Sequence, residues 1–272
     1  MGKKKMSEIL RVESGKKFNI SKWDPDFTAD IKDKEAGLVI LEKNQKTLGE
    51  LQYRLYAENK HALLVILQGM DASGKDGTVR HVMYGVNPQV CKVTSFKAPT
   101  SVELDHDYLW RIHHEIPARG EIGIFNRSHY EDVLIVRVHE LVPKQVWSKR
   151  YEQINNFEKM LTENNVTVLK FFIHISADEQ KERLQERLDD PTKNWKMNPE
   201  DLKERMKWDD YMKAYEDAIG KCSTDHAPWY VIPANKKWFR NIAVSDIIIE
   251  TLESLKMKFP KPDFDPATIV IP

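Results

Sequence analysis

A glycine-rich loop with one lysine is the part of this sequence best suited to chemistry on phosphate. The run Gly69-Met70-Asp71-Ala72-Ser73-Gly74-Lys75-Asp76-Gly77-Thr78 contains the Gly-x4-Gly-Lys spacing, after an apolar stretch and before a helix-like one. Glycines let successive backbone N–H groups face one anion, the helix N-terminus adds positive charge, and the lysine adds a point charge. The sequence therefore predicts a phosphate cradle formed by Gly69, Ala72, Ser73, Gly74, Lys75, Asp76, Gly77 and Thr78.

This loop departs from the usual phosphate-binding pattern in its acidic residues. Asp76 follows the lysine, where other such loops have a Ser or Thr hydroxyl that holds magnesium, and Thr78 comes two places later. Asp71 places a carboxylate beside the bound phosphates, which is unfavourable unless a metal ion or a cationic group lies between them. We therefore expect Asp71 to help hold Mg²⁺, with Mn²⁺ as a substitute, or to orient the acceptor. The alternative is that Asp71 braces the loop through hydrogen bonds to backbone amides.

A second set of polar side chains follows the apolar run at 121–125. In open α/β sheets, ligands bind at the carboxyl ends of the strands. Arg127 offers phosphate a planar fork that lysine lacks, and its neighbours can position metal-bound water or the accepting group. A salt-bridged loop is the alternative interpretation. The candidate residues here are Asn126, Arg127, Glu131 and Asp132.

A third cluster, rich in cations, lies between Asp178 and Tyr211. Acidic residues are interleaved with the cations, so a solvated helical hairpin would have much the same composition. The loop upstream favours a lid instead, because phosphoryl transfer to a small acceptor needs a closing, cation-bearing segment that excludes water. The candidate lid residues are Arg183, Arg187, Lys193, Trp195, Lys196 and Arg205.

Alternating strands and helices must position these clusters. Strands are predicted at 62–68, 90–96, 121–125, 166–175 and 229–232, and helices from about 76 and at 102–115, 144–163, 178–188, 199–219 and 238–257. This alternation predicts an α/β fold in which helices cover both faces of a parallel sheet. The aromatic residues Trp208, Tyr211 and Tyr215 recur at helical spacing and are expected to pack the core.

The N-terminal part of the chain is predicted to be an irregular arm followed by a helix. Residues 1–32 are polar, and from 33 to 58 leucines recur at a spacing that predicts one buried stripe. We expect one domain over 1–272, with an arm and helix at 1–60, a core at 61–260 that includes a lid at about 181–215, and an extended tail at 261–272. The expected stripe consists of Leu38, Leu41, Leu48, Leu51 and Leu55.

The overall composition excludes several classes of protein. The chain has 272 residues, 42 basic and 42 acidic ones, and a formal net charge of zero, so bulk attraction to nucleic acid or an acidic membrane is not expected. No apolar run approaches the roughly 20 residues needed to cross a bilayer. The two distant cysteines, Cys91 and Cys222, form no disulfide framework, and no apolar leader follows the first lysines. These features predict a cytoplasmic protein.

Three segments of the chain closely resemble polyphosphate kinase family 2. They are the run from Leu63 to Gly77, the motif Phe125-Asn126-Arg127-Ser128-His129-Tyr130-Glu131-Asp132, and the run from Ala227 to Trp238. The resemblance spans about 51–255 and includes Asp107-Tyr108-Leu109-Trp110-Arg111. It implies a P-loop kinase fold like that of thymidylate kinase, with a helical lid. It also implies Mg²⁺-dependent, reversible phosphoryl transfer between inorganic polyphosphate and adenine or guanine nucleotides, in homodimers or homotetramers.

The resemblance also assigns roles to individual residues. Its implied in-line transfer needs no covalent enzyme intermediate, and the pair Glu131-Asp132 resembles the branch that accepts AMP as well as ADP. Apart from the resemblance, Arg111 and Arg137 are further candidates for a basic groove along the polyanion, and Lys193 and Lys196 are candidates for binding nucleotide or polyphosphate. The catalytic set implied by the family is Asp71, Lys75, Asn126, Arg127, Arg183 and Arg187.

Two other functions remain open at this point. An ATP-dependent nucleoside monophosphate kinase needs the same loop, arginine and lid, and differs only in the donor. A regulatory nucleotide switch is the other, although the chain has no Asn-Lys-x-Asp motif and no Asp-x-x-Gly switch.

Overall fold

A computed structural model describes residues 4–272 of the chain. Its centre is a five-stranded sheet in the order β2-β3-β1-β4-β5, and every pair of neighbouring strands is parallel. The predicted α/β architecture is therefore confirmed. The strands are β1 (Ala62–Gln68), β2 (Cys91–Ser95), β3 (Ile122–Asn126), β4 (Val166–His174) and β5 (Trp229–Pro233).

Helices cover both faces of this sheet. The long ones are α2 (Lys34–Glu58), α7 (Lys144–Glu163), α8 (Ala177–Asp189), α10 (Trp208–Cys222) and α11 (Lys237–Ser254). The short ones are α1 (Met6–Leu10), α3 (Lys75–Val82), α4 (Ser101–Leu104), α5 (Trp110–His113), α6 (Ile135–Val138) and α9 (Pro199–Met206). Among the described residues, no helix is long and apolar enough to cross a membrane.

Strand β1 lies at the centre of the sheet because its sequence suits burial on both faces. All seven of its residues are buried, as expected for a continuous apolar run in a parallel sheet. It pairs with β3 through Leu67 opposite Asn126, and with β4 through Gln68 opposite Phe172. The carboxyl ends of these three strands therefore meet at one edge, where the chain passes into its polar loops.

Two hydrophobic cores separate the sheet from its helices. Helices α7 and α10 pack on one face, and Tyr211 and Tyr215 lie in that core as predicted, with Trp208 partly buried against it. Helices α2 and α11 pack on the other face. The predicted leucine stripe of α2 is wrong at one position, since Leu38 is 48% exposed while the other four leucines are buried.

Two predicted helices are each divided in the structure. The helix expected at 102–115 is replaced by α4 and α5, because a turn intervenes in which the Asp107 carboxylate accepts the Leu109 N–H at 2.9 Å. The helix expected at 199–219 consists of α9 and α10, which meet at Lys207. The backbone of Lys207 leaves helical geometry, with φ −96° and ψ 19°. The segment predicted to be a lid therefore consists of shorter helices than the sequence pattern indicates.

The N-terminal arm is more ordered than predicted from its polar sequence. Residues 1–3 of the predicted arm lie outside the described part, α1 follows, and Leu10 is buried against the core. Arg11 forms an antiparallel bridge with Tyr230, and the Val12 N–H donates to the Trp229 carbonyl at 2.9 Å. The arm therefore covers the outer edge of β5. At the other end of the chain, the predicted tail at 261–272 is exposed throughout.

Candidate active site

The glycine-rich loop connects β1 to α3, in the strand–loop–helix setting that phosphate binding requires. Gly69 and Gly74 have φ of 155° and 102°, and Ala72 also has a positive φ of 62°. A side chain at Gly74 would collide with the guanidinium of Arg240, and one at Gly69 would lie 2.7 Å from the Ile173 carbonyl. These two glycines are therefore needed for close packing as well as for their backbone conformation.

Lys75 lies folded across this loop. Its Nζ donates to the carbonyl oxygens of Gly69 at 2.7 Å and Met70 at 3.2 Å. Burial lowers the pKa of the lysine, and the neighbouring carboxylates of Asp71 and Glu131 oppose that effect. The ammonium group thus lies in a low-dielectric site, where its attraction to an anion in the loop is stronger than it would be in water.

Asp71 and Arg127 form an ion pair across the mouth of the loop. Asp71 Oδ1 accepts from Arg127 Nη2 at 2.7 Å, and Arg127 follows β3, whose neighbour β1 leads into the loop. Of the two ways to accommodate Asp71 that the sequence analysis named, a metal ion or a cationic group, the structure shows a cationic group, the Arg127 side chain. The backbone-bracing alternative is not the arrangement seen, because the Asp71 carboxylate pairs with Arg127.

A second link joins the end of β3 to the start of α3. Asn126 Nδ2 donates to Asp76 Oδ1 at 2.5 Å, so these two candidates are brought together. The Thr78 hydroxyl donates to the Gly74 carbonyl at 3.1 Å, so its hydrogen bond is made within α3 and not to the loop. In contrast, the Ser73 hydroxyl is buried without a partner and remains available for a phosphate oxygen.

Glu131 and Asp132 lie on a 3-10 turn (His129–Val133) but differ in environment. The Glu131 carboxyl lies among Lys75, Arg127 and Asp71, and burial raises its pKa. Asp132 instead pairs with Arg150 at 2.8 Å, and burial raises its pKa to about 6. Of this pair, only Glu131 therefore lies close to the charged side chains around the glycine-rich loop.

A buried charged network under this turn was missed by sequence reasoning. Lys170 Nζ donates to Glu158 Oε2 at 2.5 Å and to the Tyr130 hydroxyl at 2.9 Å, while His129 Nε2 lies 3.2 Å from Glu158 Oε1. The signal in the sequence was a lysine inside the apolar run that forms β4. Because the network holds Tyr130, it fixes the turn that presents Glu131.

The structure places Arg183 differently from the expectation for a lid residue. This arginine is buried, and its Nε donates to Glu179 at 2.6 Å. Nη1 donates to the Ser73 carbonyl at 2.7 Å and Nη2 to the Ala234 carbonyl at 2.5 Å. Arg183 therefore braces the outside of the phosphate loop, and protein oxygens already occupy its donors.

The other predicted lid cations are also paired within the protein. Arg187 contacts Asp201 at 3.1 Å, and Asp201 lies close enough to Asp71 and Arg127 for their charges to affect its pKa. Arg187 is thus connected to these catalytic candidates through the charge of Asp201. The remaining pairings are Lys193 with Asp190, Lys196 over the Trp195 ring, and Arg205 with Gln180 and the Ala177 carbonyl.

The two candidates for a basic groove lie in separate surroundings. Arg111 donates to the Lys97 carbonyl at 2.7 Å and lies over the Phe96 ring, and its charge affects the pKa of Asp132. Arg137 donates to Asp217 at 2.6 Å, which directs it toward α10. The structure therefore brings Arg111 close to the 3-10 turn that follows β3, whereas the Arg137 side chain lies between α6 and α10.

Fold and site together define a class of protein. A phosphate loop after β1, an arginine after the adjacent β3 and a cation-bearing helical segment after β4 are the parts of a P-loop kinase. The "Polyphosphate kinase 2 (PPK2)" family model matches residues 31–260, and the chain belongs to this family.

Similar proteins span nearly the whole chain. The AMP/ADP-polyphosphate phosphotransferase of Meiothermus ruber is 55% identical over 262 residues, which cover 96% of this chain and 98% of that protein. The ADP-polyphosphate phosphotransferase of Rhodopseudomonas palustris is 48% identical and covers 93% of this chain and 91% of its own length. The crystal structure of Polyphosphate Kinase 2 from Arthrobacter aurescens TC1 superimposes with a TM-score of 0.94 at 48% identity, covering 97% of this chain and 94% of that one.

Proposed function

We propose that this protein transfers the terminal phosphoryl group of inorganic polyphosphate to ADP and to AMP, reversibly and without a covalent enzyme intermediate. The observation that carries the proposal is the arrangement of Lys75, Asp71 and Arg127 around one phosphate loop. The names of the relatives in Meiothermus ruber and Rhodopseudomonas palustris support the donor and the acceptors.

In this mechanism the loop and its lysine bind the donor phosphates. Lys75 exchanges the carbonyls of Gly69 and Met70 for phosphate oxygens, and the buried Ser73 hydroxyl gains the partner it lacks. Arg127 stabilises the charge on the equatorial oxygens of the transferred group. The attacking phosphate oxygen of AMP or ADP is already ionised near neutral pH, so positioning and charge neutralisation contribute more than a general base.

We assign to Arg187 the role of binding the acceptor when the lid closes over it. Its described partner, Asp201, is an acidic side chain near Asp71, so an incoming anion would compete with Asp201 for the guanidinium. Arg183 supports the loop from outside in the same mechanism, through the Ser73 carbonyl. Of the two family-implied lid arginines, Arg187 therefore contacts the substrate and Arg183 positions the loop.

The carboxylates around the loop fit a divalent cation such as Mg²⁺ or Mn²⁺. Asp71 and Asp76 supply the oxygen ligands that these ions prefer, and within the described part of the chain no three acidic, histidine or cysteine side chains form a ready metal cluster. Mg²⁺ in kinases is commonly held by one or two carboxylates together with substrate phosphates and water. The ion would neutralise phosphate charge, and Asp71 is the residue we propose to hold it.

Replacing Asp71 by asparagine tests this assignment. The amide is a weaker metal ligand and cannot balance Arg127, so we expect turnover to fall about 10- to 100-fold and the Mg²⁺ concentration for half-maximal activity to rise. Activity is measured across a magnesium titration, with Asp263→Asn, in the exposed C-terminal tail, as the control. A variant with reduced turnover but an unchanged magnesium requirement would limit Asp71 to positioning Arg127.

The acceptor range, assembly and location complete the proposal. We assign AMP acceptance, beside ADP, to the branch pattern Glu131-Asp132, and we include guanine as well as adenine nucleotides. Glu131 is the active member of that pair because its carboxyl lies beside Lys75 and Arg127. We further propose that the protein is cytoplasmic and forms a homodimer or homotetramer. Sedimentation of the purified protein measures its oligomeric state.

The donor is tested by measuring ATP formation from ADP, Mg²⁺ and long-chain polyphosphate. We expect ATP to appear with ADP and, separately, with AMP as the starting nucleotide. A reaction with ADP but no polyphosphate corrects for disproportionation of ADP. ADP production from ATP and AMP, with no product from polyphosphate, would identify a nucleoside monophosphate kinase instead, and a stable nucleotide complex without transfer would indicate a regulatory switch.

A further inference from the structure

A second buried arginine lies against the outside of the phosphate loop. Arg240, on α11, is only 3% exposed, and its guanidinium packs directly on Gly74. An ideal Cβ on Gly77, in the first turn of α3, would lie 3.1 Å from Arg240 Nη2. The guanidinium therefore packs against both the end of the loop and the start of the following helix. The sequence signal was an arginine directly after Phe239 and two residues before Ile242, in a helix rich in apolar residues.

The hydrogen bonds of Arg240 go to a neutral group. Its Nε and Nη2 both donate to Asn241 Oδ1, at 3.1 and 2.9 Å. Burial, followed by the charge of Arg183, lowers the pKa of Arg240 to about 10. His81, on α3, is a further basic neighbour, whose pKa the charge of Arg240 helps to lower. No carboxylate is among the groups that hydrogen-bond Arg240 or shift its pKa in the described structure.

The other buried lysines and arginines of the described residues have acidic neighbours. Lys170 contacts Glu158, Arg183 contacts Glu179, and Lys75 lies close to the charge of Asp71. Burying a charge is expensive unless it is paired, so a folded protein retains one where something else compensates it. Among the described residues no carboxylate compensates Arg240, which leaves a bound anionic ligand as the source of the compensating charge.

We infer that Arg240 is a positioning residue for the phosphate loop, whose buried charge is compensated by the phosphates bound on the other side of Gly74. The inference rests on the proposed polyphosphate-dependent function. In the low-dielectric surroundings of the loop, this charge attracts the donor without touching it. The charge of Arg240 thereby acts across the loop backbone that lies between it and the donor, and it sets the affinity for the polyanionic donor more than the rate of transfer.

The test compares Arg240→Met and Arg240→Lys with the wild-type enzyme. For Arg240→Met we expect the KM for polyphosphate to rise about tenfold or more, with a smaller change in kcat. The rise in melting temperature on adding Mg²⁺ and inorganic tripolyphosphate should fall to less than about half of the wild-type value. Arg240→Lys keeps the charge and should restore most of both effects, which a purely steric role would not allow.

Two control variants separate charge from packing. Asn241→Ala removes the acceptor but keeps the guanidinium, so it should lower the melting temperature without removing the tripolyphosphate-induced shift. Arg80→Met removes an exposed charge from α3 and should leave KM and the shift near their wild-type values. An Arg240→Met enzyme with a lower melting temperature, an unchanged KM and an unchanged shift would overturn the inference.

The same measurements distinguish a failure of the proposed function. A wild-type protein that tripolyphosphate does not stabilise contradicts the inference about Arg240. A wild-type protein that tripolyphosphate stabilises, but that forms no ATP from polyphosphate, contradicts the proposed donor. In that second case the inference about Arg240 is still tested by the rise in melting temperature that tripolyphosphate causes in the Arg240 variants.

Discussion

Replacing Lys75 by methionine is expected to reduce kcat/KM for polyphosphate by about three orders of magnitude, because it removes a buried cation that acts on the transferring phosphates. The ammonium group is held by two loop carbonyls, with Nζ 2.7 Å from the Gly69 oxygen, so it is already oriented before substrate binds. Methionine has a similar length and needs no charge compensation when buried. The fold should therefore survive, and initial rates of ATP formation measure the loss.

The exposed Lys60→Met variant is the matched control, since it removes the same charge from the surface. Its kcat/KM should equal that of the wild-type enzyme within about twofold. Thermal unfolding of both variants shows whether any loss reflects the fold. If the Lys75→Met enzyme melts as the wild type does and retains more than a tenth of its activity, the lysine does not have the role proposed here.

Replacing Gly74 by alanine is expected to destabilise the protein by about 2–4 kcal/mol and to reduce activity about 100-fold. Two costs combine at this position. The φ of 102° is unfavourable for any residue with a side chain, and the new methyl group must displace the buried guanidinium of Arg240. If the backbone at residue 74 moves to make room for the methyl group, the loop N–H groups also move away from the bound phosphates.

Gly15→Ala separates these two costs. Gly15 also has a positive φ, of 72°, but a Cβ there would meet nothing within 4 Å. We expect this control to lose about 1–2 kcal/mol from backbone strain alone and to keep its full activity. Chemical denaturation and initial rates measure both variants. Equal losses of stability would show that contact with Arg240 contributes nothing at Gly74.

Much of the fold was predictable because its strands and long helices have simple sequence patterns. The seven residues of β1 and the twenty of α7 have the predicted bounds, since one is a continuous apolar run and the other an amphipathic helix. The break at Lys207 was not predictable, because the sequence on both sides favours a helix. Leu38 was wrongly assigned to the core because spacing alone does not show which positions of α2 are covered by other elements.

The candidate site was predictable where a residue follows a strand directly. Lys75 and Arg127 follow neighbouring strands, and parallel pairing of β1 with β3 brings their loops together. Spacing could not show which cations are already paired, so Arg183 was expected to face the substrate although its donors contact protein oxygens. Arg240 was missed for the same reason, because its importance depends on what surrounds it.

The strand order of the sheet has a consequence for the way the chain folds during its synthesis. The arm around Arg11 covers the outer edge of β5, yet β5 is made more than two hundred residues later. The ribosome therefore releases the covering segment first and the strand that it covers last. Until Tyr230 emerges, β4 is itself an open edge with its pairing groups exposed, which is the state in which chains join one another incorrectly. The arm cannot dock before that point, so closure of this edge is a late step of folding.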